Sequence, residues 1–255
     1  MKYLDTLYSL EGRTAIITGA SRGIGRAAAI SLNSAGANVT LFGRNKALLE
    51  ETKSLLPNSE KSIIIEGSVN SDSDRKATFA STLEASGRID ILVNNAGIIH
   101  RNNAMDYAAK DWDEVIETDL TSVFHWSQDA AKIFRDLGKG KIINLASLLS
   151  FSGGVNVVAY AAAKGGISQM TKALANEWAK HHINVNAIAP GYFVTDATDA
   201  LRKNDQRREH VLSRIPAGRF GEPNELAGAF IFLASHASDY MNGHILTVDG
   251  GFNGY

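Results

Sequence analysis

The chain predicts a doubly wound α/β fold: a mostly parallel seven-stranded sheet flanked by helices. Three observations carry this. Short apolar runs rich in β-branched residues recur seven times along the 255 residues. Helix-length stretches separate them. The first run leads directly into a glycine-rich turn, "TGASRGIG" at 18–25. Regular alternation of strand and helix builds a parallel sheet with right-handed crossovers.

The expected strands are "RTAIIT" (13–18), "NVTLF" (38–42), "SIIIE" (62–66), "DILVN" (90–94), "KIINLA" (141–146), "INVNAIA" (183–189) and "HILTV" (244–248). Most are apolar without clean alternation, as a parallel sheet covered on both faces requires. Helices are expected at 24–35, 46–56, 72–86, 111–137, 157–181 and 223–234. No Pro- or Ser-rich linker, repeat or low-complexity tract divides the chain, so residues 1–255 read as one domain. The stretch 190–222 breaks the alternation. It is rich in charge, with Gly and Pro at both ends, and reads as a mobile lid over a substrate site.

Composition narrows the function. Hydrophobic residues make up 44% and charged residues 21%, and the net charge is −1. Such a balance offers no basic field for nucleic acid or an anionic membrane. With no cysteine, disulfides, thiolate zinc sites and cysteine nucleophiles are excluded. The N-terminal "MKYLDTLYSLEGR" holds no long apolar run, so neither a signal peptide nor a membrane anchor is expected, and the expected location is cytoplasmic. The seven histidines (100, 125, 181, 182, 210, 236, 244) form no H-E-x-x-H or comparable spacing, so no metal site is expected.

The glycine turn sits between a strand and a helix, as a dinucleotide-binding loop must. Glycine permits the tight turn and lets backbone N–H groups approach a pyrophosphate, and the helix N-terminus adds partial positive charge. Gly19, Ser21, Arg22, Gly23, Ile24 and Gly25 are the candidate phosphate cradle. No G-K-[ST] follows, which rejects an NTPase loop. The second strand ends "LFGRN", where NAD binders place an acid for the ribose hydroxyls. This chain has Arg44 there, and Arg22 in the loop. Two guanidinium groups suit a 2′-phosphate, so NADP(H) is favoured and NAD(H) stays possible.

Tyr160 and Lys164 stand one helical turn apart in "AYAAAKGG", on one face of the expected helix. A cation beside a phenol favours the phenolate. A phenol so tuned serves as a general acid/base for alcohol–carbonyl interconversion.

Taken together the motifs resemble the short-chain dehydrogenase/reductase family over nearly the whole chain, from "LEGRTAIITGASRGIG" to "LTVDGGF". Five elements match in order: the glycine loop, "NNAG" (94–97), Ser147, the Tyr160/Lys164 pair and "PGYFVT" (190–195). The resemblance implies a Rossmann-type fold and an NAD(P)-dependent oxidoreductase. It implies that Asn94, Asn95, Ala96 and Gly97 support the sheet and line the cofactor cleft. Ser147 would hold the substrate oxygen, Tyr160 would transfer the proton, and Lys164 would bind the nicotinamide ribose and favour the phenolate. Thr195, after Pro190 and Gly191, would meet the carboxamide or else cap the next helix. A homotetramer with paired helices between subunits is implied as well; the small residues Ala159, Ala161, Ala162, Ala163, Gly165 and Gly166 suit close packing.

Two positions depart from the family pattern. Asp119 stands where the family commonly has Asn in a water relay to the Lys, a role also open to the backbone carbonyl. Ser68 replaces an Asp often found near the adenine. Several stretches, among them "NNAGIIHRNNA" and "RIPAGRFGEP", resemble the gluconate 5-dehydrogenase and 2-deoxy-D-gluconate 3-dehydrogenase branch, which implies a small-molecule sugar-acid substrate. A carboxylate needs a cation and hydroxyls need polar groups. His100, Arg101 and Asn156 are the candidate substrate contacts, with Arg214 in the candidate lid. A 3-oxoacyl-[acyl-carrier-protein] reductase is the alternative enzyme. A dinucleotide sensor without catalysis is the non-enzymatic one, although such a protein is expected to lose Tyr160 or Lys164.

Overall fold

In the computed structural model, which describes residues 3–254, seven strands form one sheet: β1 (Thr14–Thr18), β2 (Asn38–Gly43), β3 (Ile63–Glu66), β4 (Ile91–Asn94), β5 (Gly140–Leu145), β6 (Ile183–Pro190) and β7 (Ile245–Val248). Their order is β3-β2-β1-β4-β5-β6-β7, and every pairing is parallel. Each strand lies within a residue or two of its expected place. The order reverses between β1 and β4, the switch point beside which open α/β sheets bind ligands, at the carboxyl ends of the strands.

The helices are α1 (Tyr3–Tyr8), α2 (Gly23–Ser34), α3 (Lys46–Ser54), α4 (Asp72–Ser86), α5 (Ala109–Ile116), α6 (Ser122–Leu137), α7 (Val158–Trp178), α8 (Asp196–Arg202), α9 (Asp205–Leu212) and α10 (Ala227–Ala234). The doubly apolar strands serve two cores. Ile17, Leu41, Val93 and Ile143 pack on one face against Ala28 and Leu32 of α2 and Phe230 and Leu233 of α10. Ile16, Phe42, Leu92 and Ile142 point the other way, against Phe79 of α4 and Trp126 and Phe134 of α6. The period of two sends neighbours to opposite faces. Trp126 anchors the second core: its ring centroid lies 4.8 Å from that of Phe42, and its indole N–H donates to the Val69 carbonyl at 3.1 Å. Truncating such a side chain to Ala costs about 3–5 kcal/mol.

Two expectations change. The single helix expected over 111–137 is two, α5 and α6, joined by a π-helical turn at Glu117–Thr121. Wide turns of this kind gather at functional sites, and this one carries Asp119. The candidate lid is not a loop. It holds α8 and α9, each started by a local cap: Thr195 N–H donates to Thr198 Oγ1 at 3.2 Å, and Asn204 Oδ1 accepts from Arg207 N–H at 3.0 Å.

Candidate active site

The carboxyl ends of β1, β4, β5 and β6 meet around a cavity of about 880 Å³. The glycine turn forms one edge. Gly19 and Gly23 have φ of 67° and 54°, the left-handed region that glycine adopts freely. A Cβ on Gly25 would lie 2.2 Å from the Gly19 carbonyl oxygen and 2.4 Å from Asn95 Nδ2. The helix therefore starts against the turn more closely than any side chain permits.

Outside the motif, Arg26 braces the turn. Its Nη2 donates to the Ser21 carbonyl at 2.8 Å, Nε to Thr52 Oγ1 at 3.1 Å and Nη1 to Glu51 at 2.8 Å. The other edge is "NNAG". Asn95 Nδ2 donates to the Thr18 and Gly19 carbonyls at 2.9 and 3.1 Å, while Asn95 and Ala96 N–H donate to Thr18 Oγ1 at 3.0 and 3.1 Å. Asn94 turns into the core and donates to Ser127 and Asn144, both at 2.9 Å. These side chains thus tie β1 to β4 and keep the cleft at the switch point open.

Ser147, Tyr160 and Lys164 all face the cavity. Ser147 follows β5 and caps a short turn, Leu148–Ser150, accepting the Leu149 N–H at 3.2 Å. Ser150 Oγ donates to the Lys164 carbonyl at 2.6 Å, which fastens that turn to α7. Lys164 is 4% exposed and Asp119 is 0% exposed. The Lys164 ammonium donates to the Leu145 carbonyl at 2.9 Å, lies 3.3 Å from Asp119 Oδ2 and stands 5.4 Å from the centre of the Tyr160 ring.

Asp119 Oδ1 accepts the Ile98 N–H at 2.7 Å, and Oδ2 has no hydrogen bond of good geometry. The side chain of Asp119 thus meets Lys164 directly. Burial pushes the Asp119 carboxyl above the ordinary range, against the pull of Lys164 and the Ile98 N–H. Burial also pulls the Lys164 ammonium down, but Asp119 and Tyr160 outweigh it and hold it above the usual lysine range. The two groups form one coupled unit, Lys164 holding the proton against the charge of Asp119.

Ile24, Asn95, Gly97, Pro190, Gly191 and Thr195 also line the cavity. Thr195 lies across from the glycine turn, its methyl 3.5 Å from where a Cβ on Gly23 would stand. Arg44 is exposed and forms no ion pair among the described residues. Arg22 is already engaged, by Asp196 Oδ2 at 2.7 Å. Ser68 N–H donates to Asp74 at 2.9 Å.

The candidate substrate contacts separate. Arg101 and Arg214 line the cavity; His100 and Asn156 do not. His100 turns to Glu114 at 3.0 Å, held by the nearest carboxylate on α5. Asn156 sits at φ 62° and gives its carbonyl to the Asn102 N–H at 3.1 Å. In their place stand Arg207 and His210 of α9. Arg207 and His210 stand three residues apart on one face of α9, and Arg214 follows in the turn after the helix; the spacing of the first two was the signal available. Arg214 stacks on Phe252, its guanidinium carbon 4.5 Å from the ring centre.

A family model described as enoyl-(acyl carrier protein) reductase matches residues 19–253. The 2-dehydro-3-deoxy-D-gluconate 5-dehydrogenase of Escherichia coli (strain K12) is 45% identical over 96% of this chain and 97% of its own. The enzyme of the same name from Bacillus subtilis (strain 168) is 45% identical over 99% of each chain. The crystal structure of a gluconate 5-dehydrogenase from Burkholderia cenocepacia J2315, in complex with NADP and tartrate, superposes with a TM-score of 0.94 at 36% identity, covering 99% of this chain and 100% of that one. Matched over nearly its whole length by this model and by these relatives, the chain belongs to the short-chain dehydrogenase/reductase family.

Proposed function

We propose that the protein is an NADP(H)-linked oxidoreductase that interconverts a secondary alcohol and a ketone on a sugar acid of the gluconate or keto- and deoxy-gluconate kind. One observation carries the substrate class. Arg101, Arg207 and Arg214 all line the cavity, and none pairs with a carboxylate among the described residues. The cavity's one lining acid, Asp119, is already matched to Lys164. A wall with three unmatched guanidinium groups suits an anionic substrate, which they would grip by charge-assisted, bidentate hydrogen bonds. The names of the E. coli, B. subtilis and B. cenocepacia relatives support the same class, and the NADP of the last supports the cofactor.

The cradle fits a dinucleotide: Gly19, Gly23 and Gly25 leave backbone bare where a pyrophosphate needs to approach, and Arg44 is exposed and forms no ion pair among the described residues. When bound, the nicotinamide takes up or supplies the hydride. The chain's own residues do the rest. Ser147 holds the substrate oxygen, and Tyr160 takes the hydroxyl proton in oxidation and returns it in reduction. Lys164, anchored by Leu145 and Asp119, keeps its charge beside the phenol and meets the nicotinamide ribose. Gly97, Pro190, Gly191 and Thr195 close the cofactor's nicotinamide end. We place the enzyme in the cytoplasm as a homotetramer, with the small-residue face of α7 suited to subunit packing; sedimentation equilibrium tests the latter.

The deciding experiment is a panel of gluconate, 5-ketogluconate, deoxygluconates and a 3-oxoacyl thioester, each assayed with both cofactors at the absorbance band of reduced nicotinamide. Turnover of a sugar acid with NADP(H), lost in Tyr160→Phe, is expected. Turnover of the thioester with every sugar acid silent would reverse the assignment. Undiminished turnover in Tyr160→Phe would remove the proposed acid/base.

A further inference from the structure

The two guanidinium groups suited to a 2′-phosphate do not stand in the same state. Arg44 is free. Arg22 donates from Nη1 to Asp196 Oδ2 at 2.7 Å, and both side chains are well exposed, at 63% and 71%. Arg22 immediately precedes α2, in extended backbone, so its side chain leaves the glycine turn at the mouth of the cleft. Asp196 opens α8, directly after Thr195. The pair therefore joins the two walls between which the dinucleotide has to lie. The walls are close there, since the Thr195 methyl approaches Gly23.

From this geometry we infer that Asp196 is a cofactor-selectivity residue: it occupies Arg22 as an internal stand-in for phosphate, so that a dinucleotide bearing a 2′-phosphate has to displace it. The inference rests on the NADP(H) reading above. The exchange is physically favourable. An exposed ion pair contributes little, because water screens it and two long side chains lose freedom to make it. A phosphate brings about two negative charges and several acceptor oxygens to the same guanidinium. Displacement still reduces apparent affinity by the fraction of molecules in which Arg22 is engaged. For a pair of this exposure that penalty is about two- to fivefold. NAD(H) has no group for Arg22 and escapes it. Asp196 thus narrows the preference for NADP(H) that Arg22 and Arg44 create, and it ties release of α8 from the glycine turn to binding of the 2′-phosphate.

The test is the affinity of NADPH and of NADH for the full chain, measured by nicotinamide fluorescence. The proteins are the parent, Asp196→Asn, Asp196→Ala, Arg22→Gln and the Arg22→Gln/Asp196→Asn double variant. Both Asp196 variants are expected to tighten NADPH two- to fivefold, about the reach of one exposed pair, and to leave NADH unchanged. The double variant is expected to bind NADPH as Arg22→Gln does, because Asp196 acts only through Arg22. Thermal midpoints confirm that each variant is folded; two substitutions at an exposed position keep the test available if one fails. Unchanged or weaker NADPH binding in both Asp196 variants overturns the inference, as does equal tightening of NADH. A parent chain that binds NADH but not NADPH overturns the NADP(H) reading itself, and the inference with it.

Discussion

Asp119→Asn is the most informative perturbation of the site, because it removes a charge and almost no volume. At 3.3 Å the Asp119 and Lys164 charges attract by about 5 kcal/mol at an effective dielectric near 20. Stripping water from two ions costs several kcal/mol for each, so the pair as a whole contributes far less than its attraction. Losing one partner is different, since it strands a buried cation, and such losses cost about 3–5 kcal/mol. The amide oxygen of Asn can still accept the Ile98 N–H, which places the expected loss near the lower end, about 3 kcal/mol. For a chain of this size that is a fall in thermal midpoint of about 6–12 °C. Turnover is expected to fall more than about tenfold, the equivalent of about 1.4 kcal/mol of lost positioning. Denaturant unfolding gives the free energy, and a double-mutant cycle of Asp119→Leu with Lys164→Met gives the coupling. The double variant is expected to be more stable than the sum of the single losses, since an apolar pair replaces a matched ionic one. A loss below about 1 kcal/mol with coupling near zero would refute the reasoning; Lys164 would then be held by the Leu145 carbonyl alone, with its charge solvated from the cavity.

Gly25→Ala puts a methyl 2.2 Å from the Gly19 carbonyl, so the turn has to open. NADPH affinity is expected to fall more than about tenfold with about 1–3 kcal/mol of stability, whereas Gly228→Ala, exposed on α10 with nothing within 4 Å, is a neutral control in the same titration. Arg207→Ala and Arg214→Ala are each expected to raise KM for a sugar acid about tenfold, the loss of one charge-assisted hydrogen bond, with kcat nearly kept. Arg208→Ala, whose guanidinium pairs with Asp205 at 3.0 Å, provides the contrast in that kinetic series. Glu225, gripped by Arg219 through two bonds of 2.7 Å and by the Glu222 N–H, has its carboxyl held down at about 2, well below its ordinary value of 4.5. Its folded value is depressed, so its contribution is present above pH 4.5 and is lost as pH falls toward 2. Glu225→Gln is expected to flatten that part of the acid unfolding curve, and a curve superposing on the parent's over the same window would count against the grip.

The parts of the site that were legible in sequence are those where backbone chemistry demands a residue type. Gly19 and Gly25 are required by a turn whose neighbours leave no room for a Cβ, Gly23 by its positive φ, and Tyr160 and Lys164 by the reach of one helical turn. The strands were legible for a related reason: a run covered on both faces is mostly apolar without alternation, as Ile16 and Ile17 serve opposite cores. What escaped depends on tertiary partners. Residues 117–121 read as ordinary helix because the π turn is set by what surrounds Asp119, namely Ile98 and Lys164, neither of which is near in sequence. Helices α8 and α9 escaped because they bury little; Val211 is the one buried residue of α9, so no apolar stripe announces it. Arg26 belongs to no motif, although it spans from Ser21 to Glu51.

His100 and Asn156 were misplaced toward the cavity for the same reason, since position after a strand end says where a backbone goes and not which carboxylate a side chain will meet. The catalytic end of the cavity is thus built from local rules. The proposed substrate end is built from a charged, weakly packed segment whose cavity-lining arginines, Arg207 and Arg214, pair with no carboxylate among the described residues. That asymmetry is what a family needs to keep one proton-transfer apparatus while changing the acid it accepts. It predicts that exchanging residues 196–214 between such enzymes moves KM among sugar acids while the dependence on Tyr160 stays.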